Sequence, residues 1–387
     1  MKKALVLGAD GYLGFAVSLD LALKGWEVHA VDNLSKRFIE AKVGVEPLIP
    51  IGPFLNRFVS WNNKHDHLVP IQAHIFDIAK QSRALYNLVD DVKPDVVIHF
   101  AEQPSAPYSM KGRSEAIDTQ INNISGTLNL AFAVKAYSPN THIIKLGTMG
   151  EYGTPNIDIE EGWLNVSHNG REDRVMFPKK ASSFYHLSKV HDSNNLEFTS
   201  RNWGLRVTDL NQGIVYGVNS NHSESRDYPT SFHYDSIFGT VINRFITQGL
   251  SGHPLTVYGG GNQTRAYLHI SDVIQCINLA IANPAEEGEF KVRNQFTEHK
   301  SVNELAEIVS SALASKSIKS EILHIQNPRI EQAEHYYNPV NTSFIDLGLK
   351  PKLISEEVVL ELIDFIQPFI DRIDETVMLP NISWKAS

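Results

Sequence analysis

The N-terminal segment places a glycine-rich turn between a short strand and a helix, and this order constrains the fold more than any other feature. Residues 4–7 form an apolar run typical of a buried parallel strand, and Gly8-Ala-Asp-Gly11-Tyr-Leu-Gly14 follows directly. Apolar residues then recur at helical spacing over 15–23, and a second strand, 27–31, ends at Asp32. This order predicts a dinucleotide-binding unit, although a glycine triplet alone also fits an ordinary strand–helix turn.

Each glycine of this turn has a physical role beside a pyrophosphate. Gly8 permits the tight turn, Gly11 lets the backbone approach the phosphates, and Gly14 lets the helix pack closely on the sheet. The helix N-terminus would face the phosphates, and Asp32 would accept hydrogen bonds from the adenosine ribose. Because this acid would repel a 2′-phosphate, the sequence favours NAD over NADP, while the nearby Arg37 leaves NADP open.

Alternating strands and helices continue beyond this unit. Strands are expected at residues 73–76, 95–100 and 142–146, with a helix at 121–134. The pattern predicts an α/β fold, a Rossmann-type doubly wound parallel sheet with a smaller α/β substrate-binding domain. We expect the NAD-binding Rossmann domain at 1–213 with a return segment at about 268–282, and the nucleotide-sugar-binding domain mainly at 220–387, interleaved with it. Residues 37–68 exceed what this fold requires and are interpreted as an insertion.

A strand-end threonine and a tyrosine–lysine pair form the second pattern. Thr148 follows the strand at 142–146, and Tyr185 and Lys189, at positions i and i+4, share one helix face. A lysine ammonium should lower the pKa of a neighbouring phenol, so that Tyr185 could take an alcohol proton while hydride leaves to a nicotinamide. The pair alone also fits a surface helix pair. A non-catalytic NAD-binding regulator would not need these residues together.

A glycine-rich segment at 254–268 indicates a second diphosphate ligand. Its glycines permit close approach, and Arg265 can bind a diphosphate through a charge-assisted fork. Arg329 is a second candidate cation, although the neighbouring Glu331 and Glu334 leave a structural ion pair open.

The net charge and the cysteine count restrict which binding partners, disulfides and metal sites the chain can have. With 35 basic and 44 acidic residues, the net charge is −9, which argues against nucleic-acid or anionic-membrane binding while allowing local basic pockets. One cysteine, Cys276, excludes a disulfide framework and a thiolate metal cluster, and no other metal-ligand cluster is expected. The chain shows no membrane-spanning run and no signal or transit peptide, so we expect a cytoplasmic location.

Several long, uninterrupted blocks of the sequence closely resemble those of one enzyme family. They cover residues 105–110, 144–162, 181–192 and 208–213, with shorter ones at 334–338 and 383–385. Through them the chain closely resembles the UDP-sulfoquinovose synthases, in the nucleotide-sugar branch of the extended short-chain dehydrogenase/reductase superfamily. The resemblance implies that UDP-glucose and sulfite become UDP-sulfoquinovose through 4-keto and 4-keto-5,6-ene intermediates, with NAD recycled internally. It also implies a homodimer, and sulfite that is free or delivered by a partner protein. The residues themselves do not separate uridine from thymidine.

The active strand end departs from the 4,6-dehydratases of the same branch. Those have Thr-Asp-Glu, whereas this chain has Thr148-Met149-Gly150, and Glu151 follows one place later. Met149 cannot transfer protons and is interpreted as an apolar wall. Glu151 and His186 are the candidate C5 base and C6 acid, with a structural hydrogen bond and substrate packing as their alternatives. A 4,6-dehydratase or 4-epimerase is the alternative activity.

The cation that would attract sulfite is not apparent. Pro104 stands where the plant-type pattern Glu-Gln-Arg-Ser leads us to expect arginine. We expect part of segment 165–180 to close over the sugar and attract sulfite, and a solvated basic loop is the alternative. The basic residues of this segment are His168, Arg171, Arg174, Lys179 and Lys180.

Motifs and resemblance together assign the site. The expected catalytic residues are Thr148, Tyr185, Lys189, Glu151 and His186. The expected cofactor-binding residues are Gly8, Asp10, Gly11, Tyr12, Leu13, Gly14, Asp32, Asn33, Arg37, Asp77, Ile78, Ala101, Asn123, Tyr185, Lys189 and Gln212. The expected substrate-binding residues are Gln103, Thr148, Met149, Tyr185, Asn211, Arg244, Tyr258, Gln263, Arg265 and Arg329. Asp77 fits an adenine contact, a helix N-cap or both.

Overall fold

Strands and helices alternate along much of the computed structural model, which describes residues 1–218, 227–329, 336–380, 382 and 384. Within these ranges the strands are β1 (Lys3–Leu7), β2 (Glu27–Asp32), β3 (Gln72–Ile75), β4 (Val96–His99), β5 (His142–Thr148), β6 (Trp163–His168), β7 (Arg171–Met176), β8 (Arg206–Gln212), β9 (Ile214–Tyr216), β10 (Leu255–Tyr258), β11 (Thr264–His269), β12 (Phe290–Gln295), β13 (Glu298–Ser301) and β14 (Ile322–Ile325). The α-helices are α1 (Tyr12–Leu23), α2 (Ser35–Val43), α3 (Phe54–Lys64), α4 (Ser82–Val92), α5 (Ala106–Ser109), α6 (Arg113–Tyr137), α7 (Phe184–Trp203), α8 (Val241–Leu250), α9 (Ile270–Ala282), α10 (Val302–Ser315), α11 (Thr342–Asp346) and α12 (Glu356–Ile366). Short 3₁₀ turns lie at Met149–Glu151, Gln367–Arg372 and Glu375–Val377.

The largest sheet of the described residues is parallel and has seven strands in the order β12-β8-β5-β4-β1-β2-β3. β1 lies at its centre, where Leu7 is paired with Val31 of β2 and with His99 of β4. The strand order reverses between β1 and β4, so a crevice opens beyond their carboxyl ends, where ligands bind in such sheets. The predicted Rossmann-type fold class is confirmed.

Both faces of this sheet are covered by helices, which explains why β1 is apolar from Ala4 to Leu7. Ala4 and Val6 pack into a core shared with α1 and α9, whereas Leu5 and Leu7 pack with α4, α6 and α7. Alternate residues of a strand point to opposite faces, so a strand buried on both sides reads as a continuous apolar run.

The later part of the chain is interleaved with the large sheet. A separate core gathers α8, α10 and α12 around β10. The chain nevertheless returns to the large sheet through α9, which lies within residues 268–282, and again through β12, which pairs with β8. Phe344 of α11 also joins the core under α1. The return is therefore longer than the sequence predicted.

The insertion at 37–68 covers the helix that follows the glycine turn. Phe58 of α3 packs on Phe15 of α1, with ring centroids 5.3 Å apart. At its other end, the backbone N–H of Leu48 donates to the carbonyl of Phe232 at 2.8 Å. The insertion thus ties α1 to the segment around residue 232.

Candidate active site

A cavity of about 1320 Å³ opens beyond the carboxyl ends of the central strands. A single ligand usually occupies about 300–1,000 Å³, so this cavity has room for two. The predicted site residues that line it are Gly8, Asp10, Gly11, Tyr12, Leu13, Gly14, Asp32, Arg37, Ala101, Thr148, Met149, Tyr185, His186, Gln212, Arg244, Tyr258, Gln263, Arg265 and Arg329.

The glycine turn has the geometry that a pyrophosphate site requires. Gly8 adopts a φ of +84°, and a Cβ there would stand 2.6 Å from the carbonyl carbon of Phe100. A Cβ at Gly14 would stand 2.1 Å from the Gly8 oxygen, so only glycine allows α1 to begin this close to the strand. The N-terminus of α1 therefore points its free N–H groups into the cavity at the turn, which suits an anion.

Asp32 closes β2 at the same end of the cavity. Its oxygens accept the backbone N–H of Asp10 at 2.9 Å and of Leu34 at 2.7 Å, and burial raises its pKa to about 6. Arg37 donates to the Asp10 carboxylate at 2.9 Å, and Arg57 donates to it at 3.2 Å. Arg37 is thus paired within the turn. Arg57, which the insertion supplies, was not among the predicted residues.

Several predicted residues support the site from outside the cavity lining. Asp77 accepts the backbone N–H of Ala79 at 2.9 Å, which matches the capping alternative. Buried Asn123 accepts the backbone N–H of Gln103 at 2.8 Å, and Asn211 donates to a buried tyrosine hydroxyl at 2.7 Å. The predicted residues outside the lining are Asn33, Asp77, Ile78, Gln103, Asn123, Glu151, Lys189 and Asn211.

Thr148, Tyr185 and His186 meet at the catalytic end, which we define as the part of the cavity beside these three residues. Thr148 is the last residue of β5, and Tyr185 and His186 belong to the first turn of α7. That helix begins where it does because the Ser183 hydroxyl caps it, accepting the His186 backbone N–H at 3.1 Å. The strand end and the capped helix together place these side chains against one ligand space.

The pKa of Tyr185 is shifted in the direction opposite to the predicted one. Lys189 is buried, and its ammonium lies 2.5 Å from a Glu102 carboxylate oxygen and 6.0 Å from the centre of the Tyr185 ring. Burial raises the pKa of Tyr185, and the Glu102 carboxylate raises it further. The predicted lowering was wrong for this state of the chain because burial dominates the pKa of Tyr185 and the Glu102 carboxylate acts in the same direction.

Glu151 does not line the cavity, which corrects its expected role as the C5 base. Its side chain is fully buried, lies 3.3 Å from the Lys145 ammonium and is also bonded by Lys179. The Ser193 hydroxyl donates to it at 3.0 Å. Although burial opposes ionisation, these lysines lower the pKa of Glu151 to about 2. A carboxylate held this way is a weak base, so the structural alternative describes it.

A buried charge network lies behind the catalytic end. The Lys145 ammonium contacts Glu151, lies 3.2 Å from Asp209 and donates to the Ser193 hydroxyl at 3.0 Å. Asp192, one turn after Lys189 on α7, is buried, and burial raises its pKa well above the usual value. These groups connect β5, β8 and α7 and so fix the elements that carry Thr148 and Tyr185.

His186 occupies the space that Gly150 leaves open. A Cβ at Gly150 would stand 2.3 Å from Nε2 of His186, so a side chain there would displace the ring. Nδ1 of His186 lies 3.2 Å from the Ser182 hydroxyl and 3.1 Å from the Ser183 hydroxyl. Hydroxyls can donate or accept, so Nδ1 has a partner in either protonation state and Nε2 can exchange a proton.

Arginines line the opposite end of the cavity. Arg244 is buried, donates to the Thr256 carbonyl at 2.9 Å and lies 4.1 Å from the centre of the Tyr258 ring, while its Nε has no hydrogen-bond partner. Burial lowers its pKa, and the nearby charge of Arg329 lowers it further. A buried guanidinium with an unused N–H suits a phosphate ligand. Glu331 and Glu334, the alternative partners of Arg329, lie outside the described residues.

The basic segment before α7 is mostly a hairpin directed away from the cavity. β6 and β7 pair antiparallel, and the exposed Arg171 and Arg174 do not line the cavity. Lys179 turns inward to Glu151, and Lys180 lines the cavity. The solvated alternative therefore describes the two arginines, and Lys180 is the basic residue of segment 165–180 that lines the cavity.

Two further features concern metal binding and membrane insertion. Across the residues that the structure describes, no group of three or more His, Cys, Asp or Glu side chains is arranged to hold a metal ion. In the same part of the chain, no helix has both the length and the apolar character needed to span a membrane.

Sequence comparisons point to one family and one activity. The model of the NAD dependent epimerase/dehydratase family matches residues 4–294. The chain is 48% identical over 385 residues to the chloroplastic UDP-sulfoquinovose synthase of Spinacia oleracea, covering 99% of this chain and 79% of that one. It is 41% identical over 386 residues to the UDP-sulfoquinovose synthase of Sulfolobus acidocaldarius, covering 99% and 98%.

Solved structures show the same fold at low sequence identity. The UDP-glucose 4-epimerase of Thermotoga maritima, solved with UDP-glucose, matches with a TM-score of 0.69 and 21% identity, covering 95% of this chain and 99% of that one. The UDP-glucuronic acid 4-epimerase of Bacillus cereus, solved with UDP-glucuronic acid and NAD, matches with a TM-score of 0.68 and 20% identity over the same shares.

Proposed function

Because the chain belongs to the NAD dependent epimerase/dehydratase family and within it to the UDP-sulfoquinovose synthases, we propose that it converts UDP-glucose and sulfite into UDP-sulfoquinovose. One observation favours this activity over that of a 4,6-dehydratase. His186 fills the space beside Gly150, where those enzymes carry a carboxylate on the strand end itself. The proton-transfer group therefore comes from α7 and not from β5.

The residues present fit NAD. The glycine turn and the N-terminus of α1 suit the pyrophosphate, and Asp32 at the end of β2 suits the ribose hydroxyls. When bound, NAD accepts a hydride from the sugar and later returns it. At the other end of the cavity, Arg244, Arg265 and Arg329 would hold the diphosphate of the nucleotide sugar.

Tyr185 and Thr148 perform the first step. The Tyr185 phenolate takes the proton of the sugar C4 hydroxyl, and the Thr148 hydroxyl bonds the same oxygen as it becomes a ketone. Burial keeps the pKa of Tyr185 high in the structure. A positively charged nicotinamide, when bound, would favour the phenolate form of Tyr185.

His186 performs the elimination, which replaces the expected division of labour with Glu151. The 4-ketone acidifies the C5 hydrogen, and His186 Nε2 takes that proton. The imidazolium then protonates the departing C6 hydroxyl, so the C5–H and C6–O bonds break, a C5=C6 double bond forms and water leaves. The hydroxyls of Ser182 and Ser183 keep Nδ1 bonded throughout this exchange.

The proposal is tested by incubating the purified chain with UDP-glucose, with and without sulfite, and separating the products by liquid chromatography and mass spectrometry. We expect a sulfonated sugar that still carries its nucleotide, formed only when sulfite is present. A stable 6-deoxy-4-keto sugar, or UDP-galactose, in both incubations would instead establish the dehydratase or epimerase alternative.

A second copy of the chain is the expected partner of the α6 and α7 surface. The two helices pack side by side, and both expose large apolar side chains, including Ile121 at 53% and Phe198 at 51%. Such paired apolar surface favours a symmetric homodimer.

We expect Ile121→Glu combined with Phe198→Glu to convert a dimer into a monomer, as measured by light scattering. Leu323→Glu, at an apolar residue of β14 that is 43% exposed, is the matched control and should remain dimeric. A wild-type monomer, or a dimer that survives the double substitution, would contradict this surface.

Two further predictions concern the source of sulfite and the compartment of the protein. Titrating the purified chain with free sulfite tests whether a donor protein is needed. A chain that saturates with free sulfite needs none. The cytoplasm is the predicted compartment, since Cys276 is buried and unpaired and the chain needs no oxidising environment.

A further inference from the structure

Sulfite is a dianion, and a chain with net charge −9 repels it unless a local cation attracts it. The sulfur attacks C6 of the sugar, next to the carbons on which Tyr185 and His186 act. The attracting cation must therefore line the catalytic end of the cavity. Pro104 lines the cavity but carries no charge.

The other cations that line the cavity have partners elsewhere or are assigned to another ligand. Arg37 is paired with Asp10 at the glycine turn. Arg244 lies at the nucleotide end, between the Thr256 carbonyl and the Tyr258 ring. Lys36 pairs with Glu40 at 2.9 Å, and Arg372 donates to the Leu48 carbonyl at 3.2 Å. Arg265 and Arg329 are assigned, with Arg244, to the diphosphate of the nucleotide sugar.

Lys180 is anchored at the catalytic end on both sides. A Cβ at Gly153, in the turn that follows Thr148, would stand 2.1 Å from the Lys180 carbonyl oxygen, so the backbones are in close contact. On its other side, Lys180 is followed closely by Ser182, whose hydroxyl lies 3.2 Å from His186 Nδ1. Lys180 and His186 line the same cavity.

The ammonium of Lys180 is available for an anion. Its neighbour Lys179 is bound to Glu151, whereas no ion pair joins Lys180 to any acidic side chain in the described part of the chain. Lys180 is also exposed, so an anion that arrives from solution meets it at the cavity wall.

From this geometry, and resting on the proposed function, we propose that Lys180 binds sulfite and directs it to C6. Nucleophilic addition then forms the S–C6 bond and breaks the C5=C6 π bond. The electron pair passes to the C4 oxygen as an enolate, and a proton taken up from solvent water at C5 restores the ketone. The ammonium offsets the charge of the dianion during its approach.

The test measures the KM of sulfite and of UDP-glucose for Lys180→Gln, with Lys180→Arg as the conservative variant. We expect Lys180→Gln to raise the sulfite KM about tenfold or more, as expected for one charge-assisted hydrogen bond. The UDP-glucose KM should stay within about twofold, since a lost sulfite contact affects only sulfite binding. Lys180→Arg should recover most of the sulfite affinity.

The matched control is Arg171→Gln combined with Arg174→Gln, which removes positive charge from the same segment away from the cavity. Its sulfite KM should equal that of the wild type. An equal rise in the control, an unchanged sulfite KM in Lys180→Gln, or equal rises for both substrates would overturn the role of Lys180. Failure of the wild type to make any sulfonated product would instead overturn the proposed function.

Discussion

Replacing Tyr185 by phenylalanine is expected to lower kcat by about 10²–10⁴-fold, the usual contribution of one general base. The variant keeps the ring and loses only the hydroxyl that removes the C4 proton. The first step fails, so neither reduced nicotinamide nor sulfonated product should accumulate. Stopped-flow absorbance at the reduced-nicotinamide band follows the first step, and calorimetry checks that UDP-glucose still binds.

Tyr216→Phe is the control for this substitution. The Tyr216 hydroxyl donates to the Lys352 carbonyl at 2.8 Å and lies outside the cavity. The control should cost about 1 kcal/mol of stability, typical of one hydrogen bond, and leave kcat near that of the wild type. A Tyr185→Phe variant as active as the control would exclude Tyr185 as the base.

Replacing Lys145 by methionine is expected to reduce the free energy of unfolding by about 3–5 kcal/mol, the cost of leaving buried charges unpaired. Lys145 is fully buried and compensates both Glu151 and Asp209. Methionine has a similar length and no charge, so Asp209 would lose its ion-pair partner and Glu151 would keep only Lys179. Urea unfolding followed by circular dichroism measures the loss.

The dependence of this loss on pH identifies its cause. The folded-state pKa of Glu151 is about 2, below its unfolded value, so its ionised form stabilises the chain above about pH 4.3, and that stability is lost as pH falls toward 2. Without Lys145 this contribution is reduced to what Lys179 and Ser193 supply, so the deficit of the variant should be largest at neutral pH and shrink in acid.

Lys93→Met provides the surface comparison. Lys93 pairs with Asp90 at 2.5 Å, but both side chains are about half exposed, and such pairs contribute roughly 0–1 kcal/mol. A Lys145→Met deficit as small as that of Lys93→Met, or one that does not change with pH, would show that the buried network does not stabilise the fold.

Features encoded over short stretches were predictable from the sequence. The glycine turn, the strand that ends at Asp32 and the helix face shared by Tyr185 and Lys189 each depend on neighbouring residues, and the structure contains all of them. The cavity also brings the predicted Arg244 and Arg265 together.

Features that join distant segments were not predictable. The pairing of Lys189 with Glu102 connects α7 to the segment that follows β4, and the burial of Tyr185 beside this pair raises the pKa that spacing alone led us to expect lowered. Spacing placed Glu151 near the reaction, but a 3₁₀ turn directs its side chain into the buried network. No pattern within the insertion indicated that Arg57 would reach Asp10.

The insertion at 37–68 also has a metabolic consequence. It packs on the helix behind the glycine turn and bonds to the segment around residue 232, so we expect it to slow the release of a bound cofactor. A reaction that returns its hydride to the sugar has no need of that release. Each copy could then work with one retained NAD, and its output would follow the supply of sulfite and nucleotide sugar, independent of the cellular ratio of NADH to NAD.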